Sequence, residues 1–119
     1  MLQPHHYLIM SMAMLTLLLL RGRSQFDDVL KAMHQDHRDA WEAAGQPLGF
    51  FWVPEERGDL LQGIRARKVI FREYMRIMPS WLEGNEPLML KLFWARVYLS
   101  LSYIGLAATG IALLVVQLT

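Results

Sequence analysis

The side chains best suited to chemistry in this chain are its histidines and one run of cations. His34 and His37 stand three residues apart in a segment of helical periodicity, with Asp36 and Asp39 beside them. Residues at i and i+3 share a helix face, so the pair has the spacing of two metal ligands. A zinc site takes at least a third ligand, however, and no partner cluster is visible; the glutamate and spacing of a metalloprotease helix are also missing. The plainer reading is a polar helix face. His5 and His6 could each offer one axial ligand to a haem or chlorophyll. They do not grip one metal together, because neighbours on a helix point about 100° apart.

"GDLLQG" lacks the lysine and hydroxyl of a phosphate-binding loop. Cysteine is absent, which removes thiolate nucleophiles, disulfides and Cys-based metal sites. No nucleophile motif is recognisable, and the sequence reads as non-enzymatic, with no cofactor or metal. The cations Arg65, Arg67, Lys68, Arg72 and Arg76 fall within twelve residues that hold the single acid Glu73. That pattern suits contact with an anionic surface more than a reaction. The net charge of +1 gives no strongly basic domain, and hence no signal for nucleic acid.

The elements that must carry these residues are set by where charge is allowed. All 12 basic and all 11 acidic residues lie from Arg21 to Arg96, and both ends of the 119-residue chain are uncharged. Val97 to Thr119, "VYLSLSYIGLAATGIALLVVQLT", is 23 residues without charge. About 20 apolar residues cross a ~30 Å hydrocarbon core as a helix. Tyr98 and Tyr103 lie toward its charged end, with Trp94 and Arg96 just outside, as expected at a water boundary. The first segment, residues 2–20, is less apolar. Tyr7 to Leu20 gives about 21 Å of helix, and counting from Leu2 gives about 28 Å.

Positive charge follows that first segment rather than preceding it, and "RGRSQF" has no small-residue cleavage site, so an uncleaved anchor is expected. Arg21 and Arg23 after the first span, and Lys91 and Arg96 before the second, place the middle in the cytoplasm and both termini outside. The expectation is an all-α, two-span transmembrane helical hairpin: residues 2–20, a cytoplasmic amphipathic region 21–87, and 88–119 with the span at about 97–119. The absence of charge in the spans counts against an ion or proton pathway.

Within the middle, Ser24 is expected to cap a helix, with Asp27 and Asp28 in its first turn facing the helix dipole. Its apolar stripe is Phe26, Val29, Leu30, Met33, Ala40, Trp41 and Ala44, and Gly45 with Pro47 ends it. Phe50, Phe51 and Trp52 in "LGFFWVP" read either as a wedge into headgroups or a partner, or as part of a small core. A second amphipathic helix is expected from about Glu56 to Met78, with Leu60, Leu61, Ile64, Phe71, Met75 and Met78 apolar and its basic face on anionic lipid. Trp81, in the turn-rich "PSWLEGNEP", reads as an interface anchor. Ser102, Gly105, Thr109 and Ala112 recur at small-residue spacing on the last helix, which suits close helix packing in lipid.

This order of parts, with "WEAAGQPLGFF" and "FREY", resembles the universal stress protein B family. The matching positions are Trp41, Gly45, Pro47 and Phe50, then Arg72, Glu73 and Tyr74. The acidic "VPEERGD" after the aromatics departs from the family's pattern. The resemblance implies a small bacterial inner-membrane protein with two spans, linked to stress response and without known chemistry; the charge pattern then puts both termini on the periplasmic side. The expected function is therefore contact with membrane lipids and other membrane-protein subunits. The alternative is an accessory subunit of a larger respiratory or photosynthetic complex.

Overall fold

The computed structural model describes residues 4–55 and 58–119, with side chains from residue 6 onward. These residues fold as helices α1 (Pro4–Asp36), α2 (Arg38–Ala43), α3 (Leu60–Tyr74) and α4 (Glu86–Leu118), with a 3-10 turn at Ser80–Leu82 and no strand among them.

α1 is a single 33-residue helix. The helix that carries the apolar N-terminal segment does not end at Arg21, and Ser24 lies inside it rather than capping a new one. "RGRSQF" holds no proline, so nothing interrupts the hydrogen-bond ladder. Gly22 is compatible with the helix because α4 closes over it: a Cβ there would lie 2.6 Å from Leu99 Cγ and 3.2 Å from the Leu99 backbone N. The break comes instead at His37 (φ −135°, ψ 56°). After α2 the chain turns through two left-handed residues, Gly45 (φ 93°) and Gln46 (φ 58°). The turn is held from inside by Trp41, whose indole N–H donates to the Pro47 carbonyl at 3.0 Å.

α3 is shorter than its apolar pattern predicts. Asp59 caps it by accepting from the Leu61 N–H at 3.2 Å, while Glu56 lies outside the described residues. At its C-terminal end Arg96 of α4 donates to the carbonyls of Tyr74 (2.7 Å) and Ile77 (2.9 Å), so the helix stops where a long-range cation takes up its carbonyls. Of the expected apolar face, Phe71, Met75 and Met78 pack half-buried against the core. The fully buried positions are instead Gly63, Ile70 and Tyr74, and Leu60 and Leu61 are exposed. The reason is the Gly63 contact with Leu48, which brings this side of α3 against the preceding loop.

α4 begins with Asn85 accepting from the Leu88 N–H and Pro87 in the first turn, and then runs unbroken to Leu118, as its sequence predicts. α1 and α4 lie side by side and run in opposite directions. Leu15 meets Gly105, Gly22 meets Leu99, and Asp28 pairs with Lys91 at 3.0 Å. At 33 residues each, the two helices are about 50 Å long, roughly 20 Å more than a hydrocarbon core.

The core gathers along the charged part of this pair. Phe26, Val29, Leu30 and Met33 of α1 pack with Leu92 and Ala95 of α4, and Trp41, Ile70, Tyr74 and Leu82 close over them. The α1 and Trp41 members are those predicted from helical spacing. Outside this region the long helices expose large apolar side chains, among them Ile9, Leu17, Ile111 and Val116.

Candidate functional site

The most constrained polar feature joins α1 to the aromatic loop. Asp27 is buried, and its carboxylate accepts three backbone N–H bonds: from Phe50 (2.7 Å), Phe51 (2.7 Å) and Trp52 (3.1 Å). Gly49 permits the approach, since a Cβ there would lie 2.7 Å from the Asp27 carboxyl. Burial pushes the Asp27 carboxyl up from its ordinary value, and the three N–H donors and the nearby Arg67 charge oppose that shift. Asp27 therefore does not serve the start of a helix, as its sequence position suggests. It holds a loop 23 to 25 residues further along the chain.

This clamp decides where the three aromatics go. Phe50 and Trp52 turn toward the core, while Phe51 is 60% exposed. Phe50 packs tilted against Phe26 at 6.0 Å and edge-on to Phe71 at 5.5 Å, and two guanidinium groups lie over its ring, Arg23 at 4.7 Å and Arg67 at 4.6 Å from the ring centre. The attraction of each cation to the ring offsets part of the repulsion between the two. Arg67 also donates to the Gly49 carbonyl at 3.0 Å.

Beside Phe50 lies an open cavity of about 560 Å³. Arg23 of α1 and Arg67, Lys68, Arg72 and Arg76 of α3 line it, so four of the five cations singled out from sequence share it. Arg65 does not line it. Its apolar wall is Phe50, Phe71, Met75 and Tyr103, the last from the uncharged part of α4. Three participants escape sequence reasoning. Arg23 is separated from α3 by some forty residues, Tyr103 reads as a boundary residue, and Asp27 reads as a helix-start acid. The available signal was the carboxylate of Asp27 set directly among the apolar stripe residues Phe26, Val29 and Leu30.

The remaining candidates are dispersed. His34 meets Trp41 and Trp52 edge-on at 4.6 and 5.4 Å, and His37 packs against Trp81 at 4.9 Å. No group of three His, Asp or Glu suited to a metal is found among the described residues. The side chain of His5 lies outside them, and His6 is exposed. Trp81 is half-buried, its indole N–H donated to the Tyr74 hydroxyl at 2.9 Å. Trp94 is exposed and stacks on Tyr98 at 5.7 Å.

On the small-residue face, Ser102 is buried and Gly105 meets Leu15 of α1, whereas Thr109 is half-buried and Ala112 exposed. Ser102 and Thr109 donate to carbonyls four residues back, at 2.7 and 2.8 Å, so their hydroxyls are satisfied within the helix. No family model matches this chain, nor does any curated protein or solved structure.

Proposed function

We propose that this chain is a non-catalytic, two-span protein of the bacterial inner membrane that acts through lipid or protein contacts. In this reading α1 and α4 form a transmembrane hairpin, and residues 21–87 form a cytoplasmic cap with helices at the membrane surface. The observation that carries it is the state of the two long helices. Their most apolar stretches are only 6% and 11% buried within the fold, whereas a helix in a soluble core would be largely covered. Exposed apolar side chains on this scale need a non-aqueous neighbour. All charges lie toward one end of the helix pair, and the arginines that flank both spans favour that end being cytoplasmic. The resemblance to the universal stress protein B family supplies the stress-related and inner-membrane parts of the proposal.

An alkaline wash of membranes should leave the chain in the pellet, and a reporter that works only outside the cytoplasm should be active when fused after Thr119. Release into the supernatant would overturn membrane insertion, and cytoplasmic reporter activity would overturn the topology. A role as accessory subunit of a larger complex is favoured by one observation: Phe51 is held outward on a loop pinned by Asp27. Native electrophoresis in mild detergent should then show co-migration with a large assembly that is lost in Phe51→Ser.

A further inference from the structure

The cavity beside Phe50 has a composition that a surface cation stripe does not explain. Five cations from two helices converge there, and no carboxylate lines it among the described residues; Glu73 is exposed and lies outside the lining. Gathering like charges is unfavourable unless an anion joins them. Lys68, Arg72 and Arg76 make no ion pair among the described residues. Arg23 Nε is buried without a hydrogen-bond partner there, although its guanidinium is oriented by Phe50. The donor set thus suits a phosphate, which guanidinium groups bind through paired, charge-assisted hydrogen bonds.

The rest of the lining is not polar. Tyr103 lies seven residues beyond Arg96, about 10 Å along α4 into its uncharged stretch, and Phe71 and Met75 stand between the cations Lys68, Arg72 and Arg76. One cavity therefore interleaves cations with apolar surface, and Tyr103 ties it to the uncharged stretch of α4.

We infer that this cavity binds one anionic, phosphate-bearing amphiphile, with the phosphate among Arg23, Lys68, Arg72 and Arg76 and the acyl part against Tyr103, Phe71 and Met75. The inference rests on the two-span reading for the source of that amphiphile. A free inorganic phosphate would meet the same cations but leave the apolar wall unused. A zwitterionic headgroup would bring its own cation into a basic site.

The test uses the full chain, purified in a non-ionic detergent, titrated with dioctanoyl phosphatidylglycerol, dioctanoyl phosphatidylcholine or inorganic phosphate. Stoichiometry is read by native mass spectrometry and affinity by the shift in thermal midpoint. Phosphatidylglycerol should saturate at one per chain, with the other two at least about tenfold weaker. Arg72→Gln and Arg76→Gln should each weaken binding by about fivefold, and together by about 30-fold. The charge-matched Arg65→Gln, on the same helix but outside the cavity, should weaken it by less than about twofold.

Equal effects at Arg65, Arg72 and Arg76 would reduce the site to general surface charge and overturn the inference. Binding of inorganic phosphate as tight as that of the lipid would overturn the amphiphile. All three substituted cations are exposed, so folding should be unchanged, and far-ultraviolet circular dichroism checks this. The inference and the membrane reading fail separately. A chain retained by the alkaline wash that binds no lipid sinks only the cavity, and a chain released by the wash that still binds sinks only the two-span reading.

Discussion

Replacing Asp27 should detach the aromatic loop from α1 while leaving the long helices formed. The carboxylate accepts three backbone N–H bonds, two of them at 2.7 Å, and hydrogen bonds to a charged acceptor contribute about 1.5–3 kcal/mol each. The simple sum overstates the loss. Burial of the carboxylate opposes its ionised form, and Phe51 is exposed, so its freed N–H finds water. Asp27→Ala should therefore cost about 2–4 kcal/mol, mostly from stranding the Phe50 and Trp52 donors. Asp27→Asn has the same shape but one acceptor oxygen. Placed where it keeps the Phe51 and Trp52 bonds, it sets its NH2 against the Phe50 N–H, which gives an intermediate cost of about 1–2 kcal/mol. Unfolding in mixed micelles, followed by tryptophan fluorescence, gives both free energies. Amide exchange gives the location: Phe50, Phe51 and Trp52 should lose protection in Asp27→Ala, while Val29, Leu30 and Leu92 should keep theirs. An Ala variant within about 0.5 kcal/mol of the parent, or loop amides still protected, would refute the clamp.

The same carboxyl predicts a pH dependence. Its folded pKa is raised above the ordinary 3.8, so the folded state holds the proton more tightly. The stability this confers is complete below 3.8 and is lost as pH rises through the folded value. Plotted against pH, the stability of the parent minus that of Asp27→Asn should fall across that window and be flat above it; a rise would mean that the hydrogen bonds outweigh burial. The close approach of the long helices predicts that Gly22→Val costs about 1–3 kcal/mol in the same unfolding assay, because Leu99 and its backbone occupy the added volume. Gly110→Val, where no atom lies within 4 Å of the would-be Cβ, is the control and should change stability by less than about 0.5 kcal/mol. Equal effects at the two glycines would show that α1 and α4 do not pack as described.

By itself the sequence determined the helical class, the two long apolar helices and the stripe Phe26, Val29, Leu30, Met33 and Trp41. These follow from local composition and the 3.6-residue period, which every residue senses through its near neighbours. Gly45 and Pro47 likewise mark where the helical stretch ends, because glycine takes the left-handed turn and proline cannot continue a helix. Only the tertiary structure decided that Leu99 of α4 fills the space over Gly22 in the middle of α1. It also turned α3 so that Ile70 and Tyr74, rather than Leu60 and Leu61, are buried. Asp27 closes on a loop more than twenty residues away, and Arg23 joins the cations of α3 across Phe50. Each of these depends on which distant surfaces meet once the chain has folded back on itself. Residue periodicity reports the face a helix offers, but it carries no term for the partner that covers that face.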